Sequence, residues 1–414
     1  MRPTGLIFDG IAIALALLIK VATPRPAWIE AHYSNGVYPG IDAAVRAVTG
    51  PLPFTLGDVL LFGLVAASIA WWVRSLRKAR AGRKIAALAR LALRTVAFAA
   101  LIYVWFDASW AFNYARIPLA DKIPVHNERT DEDSVAAFAD HVVDELSANV
   151  AAAHRELRQH PPTDESNAAI LYPRFIKVIA RLGDRSAFSP PRVKPTIFQP
   201  LFTASGTSGF TDPWTHEVNL DASAFPFERP ATYAHEWAHI SGFADESEAN
   251  FISVVTCTTS KDPLMRYSGW MLTWFNLPSN IHVKHRLKRQ AFNDVQAIIA
   301  RYRKQVNPQV ESASRAAYDR YLKANRVKAG FASYRLFVRW LTGADFDRDG
   351  LPIVRAEPSV LTQMWRDTKP RQFFDSARRE ERRMAAPFER RATQRERKSA
   401  RRLSWPRLGQ DTRA

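Results

Sequence analysis

Two histidines four residues apart, with a glutamate directly after the first, make His235-Glu236-Trp237-Ala238-His239 the chemically richest stretch of the chain. On an α-helix, residues four apart project from one face, so the two imidazoles can hold a single tetrahedral metal ion. Glu236 lies beside the first ligand, where it can take a proton from a water without binding the ion itself. An HExxH pattern arises by chance only about 0.01 times in a chain of this length and composition. The competing reading is an ordinary amphipathic helix with surface His and Glu. Pro230 suits the first turn of the helix and Gly242 its end, and acids follow, which favours a metal, Zn2+ being the expected ion.

A third ligand is needed, and Asp245, Glu246 and Glu248 compete for it. Asp245 completes HExxHxxGxxD, the spacing of metzincins with an aspartate ligand. Asp245 and Glu248 also form D-x-x-E, a capping box that opens a second helix. That helix puts Glu246 at its first position and Asn250 one turn later on the same face. Glu246 is therefore the expected ligand and Asn250 the residue that orients a histidine from behind. Glu248 and Asp245 remain the alternatives. Tyr267 is the first candidate for an oxyanion donor, with His216, His282 and His285 behind it. For each of these four, a core or surface polar role is the competing reading.

The elements that must position these groups can be read from periodicity. Thr130-x-x-Asp133 resembles a capping box that opens a helix with Val135, Phe138, Val142, Leu146 and Val150 on one side. Leu287, Phe292, Val295, Ile298, Ile299 and Tyr302 mark a second helix, and Tyr318, Tyr321 and Leu322 a third. Turns fill residues 188–213. Thr215–Leu220 reads as a short strand, suited to pairing with extended substrate backbone. Asp345-x-Asp347-x-Asp349-Gly350 resembles the start of a calcium loop. Position 12 is Ala356 instead of Glu, so an acidic turn is expected.

Three apolar stretches precede this region, at about 6–22, 56–73 and 85–105, each near the roughly 20 residues that cross a bilayer core. Asp9, Lys20, Arg90 and Arg94 interrupt them. Trp71, Trp72, Tyr103 and Trp105 suit the interfaces. A cleaved signal peptide is the competing reading of the first stretch, and a buried helix that of the third. The short loop 74–84 holds six basic residues and no acid. The positive-inside rule puts that loop in the cytoplasm and everything after about residue 108 outside.

The net charge of +18 suggests a nucleic-acid partner until it is located. Residues 1–114 carry +7, 115–365 only +2, and 366–414 the remaining +9. The nearly neutral middle argues against a nucleic-acid groove. The basic tail is expected to be solvated and partly disordered, with a lipid headgroup surface as a further option. One cysteine, Cys257, excludes a disulfide scaffold and a Cys-rich zinc finger.

Several segments together resemble bacterial membrane proteins catalogued as domain of unknown function 3810 and read as zinc peptidases. Trp110–Arg116 resembles the family's W-G-x-N-Y-x-R, with Ala111 where the family often has Gly. Gly209–Leu220 resembles its strand region and His235–Phe251 its H-E-x-x-H-x-x-G-[FY]-x-x-E-x-E-A-N-F core. Cys257–Trp270 and Tyr318–Tyr334 resemble its later C-x-x-S-x-D and Y-D-x-Y-L-K-A-N segments. The resemblance covers roughly residues 55–345. Its E-x-E-A-N is similar to the E-x-x-A-D of membrane-embedded gluzincins. That similarity implies Glu246 as the zinc ligand, puts Asn250 in the Asp place, and implies a peptidase.

The expected protein is mainly α. Residues 1–112 form an anchor with three transmembrane helices, and 113–350 a mostly helical, zincin-like metallopeptidase domain with a small β-sheet. Residues 351–414 form a basic tail. The expected function is zinc-dependent peptide hydrolysis with Glu236 as general base. The protein would be a multi-pass inner-membrane protein with its domain on the extracytoplasmic side and a peptide or protein substrate. The alternative is a non-catalytic scaffold on the same fold.

Overall fold

Apolar composition decides the first elements. Helices α1 (Pro3–Val21), α4 (Leu56–Arg77) and α5 (Lys84–Ser109) follow the three apolar stretches. Both α4 and α5 are long and apolar enough to cross a membrane. The first stretch passes the same test only when joined to Pro26–Thr49, from which it is bent by 114°, so two or at most three helices qualify. Helix α1 packs along α5, where Asp9 lies 3.9 Å from Arg94. Two of the interrupting charges thus face each other.

The computed structural model describes residues 3–22, 24–79, 84–184, 188–278, 286–328, 330 and 336–355. The basic tail from residue 356, His282 and His285 lie outside them. The described elements all belong to one unit, Met1–Arg355.

The stretch between the first two apolar segments is helical. It forms α2 (Pro26–Trp28), a π-helical stretch (Ile29–Val37) and α3 (Tyr38–Thr49). Tyr33 and Tyr38 pack with Ala115 and Phe112 in an apolar cluster, and the Tyr38 hydroxyl donates to Ile240 O. The boundary expected at residue 112 therefore cuts through residues that pack together.

Polar residues cap the helices that follow. A 3-10 turn (Ala111–Ala115) and α6 (Leu119–Lys122) lead into α7 (Glu132–Gln159) and α8 (Asp164–Arg181). Helix α7 starts one residue later than the sequence suggests: Asp131 accepts from Ser134 N at 2.8 Å, while the Thr130 hydroxyl donates back to Asn127 O. Then come α9 (Gln199–Ser205), β1 (Gly209–Thr211) and β2 (Val218–Leu220), paired antiparallel with Phe210 opposite Asn219. The remaining helices are α10 (Arg229–Ile240), α11 (Glu246–Thr258), α12 (Pro263–Asn276), α13 (Arg289–Gln305), α14 (Pro308–Ala324) and α15 (Leu336–Gly343). Asp262-Pro263 and Asn307-Pro308 each combine a capping side chain with a proline in the first turn. Helix α11 is buried from Glu246 to Cys257, because α8, α10, α12 and α15 pack against it. The fold is mainly helical with one two-stranded sheet among the described residues. Protein side chains engage the acidic turn at 345–350: Asp345 pairs with Arg129 and contacts His126, and Asp347 pairs with Arg181.

One buried cation joins four segments. The Arg116 guanidinium donates to Glu30 through Nε and Nη2 at 2.9 and 2.8 Å, to Asp184 at 3.2 Å and to Gly242 O at 3.1 Å. It also lies 4.2 Å from the centre of the Phe243 ring. Burial would raise the Glu30 carboxyl, but Arg116 and Lys122 hold it down to about 2 from 4.5. Removing one partner from such a cluster strands a buried charge. Arg116→Met should therefore cost about 3–5 kcal/mol in denaturant unfolding of the detergent-solubilised protein. A carboxyl depressed in the fold stabilises it above its unfolded pKa. Thermal stability should therefore fall as pH drops from about 4.5 towards 2, and this component should be absent from a Glu30→Gln variant.

Candidate metal centre

Helix α10 brings the HExxH residues together on its buried face. Its end is a Schellman turn: Phe243 N donates to Ala238 O and Gly242 N to His239 O. Gly242 has φ +83°, and a Cβ there would meet the Asn113 side chain at 2.8 Å. The reversal points the Phe243 carbonyl back at the helix, where it accepts from His239 Nδ1 at 2.8 Å. Asp245 then caps α11 by accepting from Ser247 N and Glu248 N, so Glu246 begins the helix facing α10.

The result is a compact donor set. One nitrogen each from His235 and His239 and one oxygen of Glu246 lie within 4.8 Å of one another. His235 Nε2 is 3.1 Å and His239 Nε2 3.6 Å from Glu246 Oε2, and the two Nε2 atoms are 3.1 Å apart. His235 Nδ1 donates to Asn250 Oδ1 at 2.9 Å. With both Nδ1–H groups engaged, both Nε2 lone pairs point at the shared space, the tautomer that a metal needs.

The electrostatics call for positive charge at this point. Burial would push the His239 pKa down, but the Glu246 carboxylate reverses this and holds it up to about 9. Burial would raise Glu246, and the two imidazoles hold it well below the usual carboxylate range. A metal cation satisfies the same carboxylate and leaves the imidazoles neutral, so the residues fit such an ion. Glu236 is not in the donor set. It is buried beside it, its pKa raised by burial, and its Oε2 accepts from Thr211 Oγ1 at 2.6 Å. Gly209 makes room for it, since a Cβ there would lie 2.4 Å from Glu236 Oε1.

The other acids are engaged elsewhere. Asp245 is the cap. Glu248 does not close a capping box with it; instead Glu248 Oε1 accepts from Leu119 N at 2.6 Å. Burial and the neighbouring Asp245 raise the Glu248 pKa to about 7. Tyr267 is not brought to the cluster. It is fully buried, and its hydroxyl donates to Asp294 at 2.6 Å, which also contacts His154. His216 is also buried, with Nδ1 3.0 Å from Asp42.

Sequence reasoning missed four contributors. Tyr318 on α14 donates its hydroxyl to Glu246 Oε1. Thr211 holds Glu236, Trp110 packs its ring 6.0 Å from that of His239, and Arg116 fixes the turn after α10. Each lies within a segment that carries the family resemblance, which was the available signal, but nothing local to those segments pointed at the histidines.

The fold and site define a mainly helical protein with apolar helices of membrane-spanning length and a three-donor group able to hold a metal ion. Residues 33–342 match the family described as Protein of unknown function (DUF3810), and the chain belongs to it. That description assigns no activity. No curated protein and no solved structure matches the chain.

Elemental analysis should find metal in the purified wild type and lose it in His239→Ala and Glu246→Ala. Asn250→Ala should keep the site but weaken Co2+ binding by about 10–100-fold in spectroscopic titration. Asp245→Ala should retain metal and lose about 1 kcal/mol of stability, as expected for a helix cap.

Proposed function

We propose that the chain is a membrane-anchored, zinc-dependent peptidase with a zincin-like site. The observation that carries this reading is Glu236, a buried carboxylate next to the first ligand, outside the donor set and held by Thr211. An ion kept only for structure needs no such neighbour. Two imidazoles and one carboxylate that leave a position open are a usual donor set for catalytic zinc.

His235, His239 and Glu246 would hold the ion, which when bound would supply a Lewis acid to polarise a peptide carbonyl. Glu236 takes a proton from the attacking water and delivers it to the leaving nitrogen. Burial raises its pKa above the usual carboxylate value, which favours its holding the proton between the two halves of that transfer. Thr211 orients the carboxylate. Strand β1 lies against α10, and its outer edge pairs with no strand among the described residues, so extended substrate backbone can add there. The donor expected of Tyr267 is reassigned to Tyr318, the phenol that touches the ligand set.

The basic loop 74–84 favours a cytoplasmic turn between α4 and α5, with the site on the outer face of the inner membrane. A reporter fused at residue 80 should be active in the cytoplasm, and one fused at residue 200 outside it.

Glu236→Gln should keep full metal content and lose about 10²–10⁴-fold in peptide cleavage. Metal-replete wild type with no cleavage across a broad peptide library would sink the reading in favour of a scaffold. Gly209→Ala should displace the Glu236 carboxylate and slow turnover without loss of metal. Tyr318→Phe should lower kcat by about 10²-fold with little change in KM.

A further inference from the structure

We infer that residues 195–214 form a surface that rests on the lipid bilayer and holds the mouth of the site at membrane level. If the peptidase reading above is right, the substrate is then the membrane-proximal segment of a membrane-anchored polypeptide.

The surface has an unusual composition. The 17 residues from Pro195 to Thr211 include no Asp, Glu, Lys, Arg or His, in a chain that is 24% charged. Ile197, Leu201, Phe210 and Trp214 are between 39% and 60% exposed. Single exposed apolar residues are ordinary, but a charge-free cluster of this kind marks a surface that something covers.

Its position identifies what covers it. The surface is fastened to the domain-side ends of both spanning helices. At the start of α4, Leu56 N and Gly57 N donate to the two Glu217 oxygens at 2.9 Å, and Ile197 N donates to Asp58 Oδ2 at 2.9 Å. Phe198 stacks on Phe62, with centroids 5.9 Å apart. Phe62 lies six residues beyond Leu56, about 9 Å along α4 at 1.5 Å per residue. The turn at Ile197 and Phe198 therefore descends beside the first two turns of α4, to the level of the headgroup and acyl boundary. At the end of α5, Trp105 Nε1 donates to Trp214 O at 3.4 Å, and Phe106 packs on Trp214 at 5.3 Å. Aromatic and aliphatic side chains at that depth gain from burial in the interface, and the one carboxylate there, Asp58, is bonded to Ile197 N and the Thr196 hydroxyl.

The site is close behind. Phe210 is followed by Thr211, the partner of Glu236. Ala244, between the second and third candidate ligands, packs with Phe106 and Trp110 at the end of α5. Trp110 follows the last residue of α5 and contacts the His239 ring. A bond cleaved there lies within about two helical turns, on the order of 10 Å, of the membrane helices' ends.

The test uses the full chain in phosphatidylcholine and phosphatidylglycerol liposomes. Cys257 is fully buried, so a fluorophore can be attached at Ile197→Cys, Leu201→Cys or, as control, Gln159→Cys on the exposed end of α7. The labels at 197 and 201 should be quenched by spin-labelled lipid and protected from aqueous iodide, with the reverse at 159. Iodide access equal to the control at 197 and 201 overturns the inference. So does protection from both quenchers, which would mean that protein covers the surface.

A second arm places one cleavable sequence about five or about forty residues from a transmembrane anchor. The short spacer should be cleaved at least ~10-fold faster in proteoliposomes. Equal rates overturn the substrate class. No cleavage of either overturns the peptidase reading, while the label result still decides the surface.

Discussion

The Arg116 guanidinium is the interaction on which the rest of the structure depends. It is a single fully buried cation that engages Glu30 before the second apolar helix, Asp184 after α8, and the turn that ends α10. A buried charge is tolerated only when its partners are all in place, so these segments must assemble together or not at all. Phe243 packs under the same guanidinium and supplies the carbonyl that fixes the His239 tautomer. The geometry of one candidate ligand is thus tied to residues more than 200 positions away in sequence.

A second joint links the apolar helix α4 to the candidate metal centre. The hairpin of β1 and β2 carries Thr211 on one side and Glu217 on the other. Glu217 and Lys194 form a buried pair at 2.7 Å, and Glu217 also satisfies the first two backbone donors of α4. The residue that orients Glu236 and the residue that caps α4 therefore sit six residues apart on one short hairpin. Movement of α4 relative to the hairpin would reach Glu236 with little slack.

Legibility followed from locality. The ligand pair on α10, the cap at Asp245, Glu246 at the next position and Asn250 one turn on could all be read, because helical spacing fixes which side chains share a face. The start of α7 is displaced by one residue, since the Asp131 carboxylate takes the Ser134 amide while the Thr130 hydroxyl turns back to Asn127 O. The helices in region 23–54 are not marked by an apolar stretch of spanning length. Their order comes from distant partners, among them Asn113, Arg116, Gly183, His216 and Ile240. Tyr267 follows α10 and α11 closely in sequence, and Asp294, a residue of α13, is what withdraws it from the cluster.

By itself, the sequence determined the apolar helices, the donor residues and the helix on which two of them sit, because each depends on contacts within a few residues. It also determined the family. Only the tertiary structure decided that Tyr318 reaches Glu246, that Thr211 holds Glu236, and that Trp110, directly after α5, packs against His239. Those contacts join residues between 25 and 129 positions apart, and their partners are set by how buried charges and apolar faces are satisfied together, which no local pattern encodes.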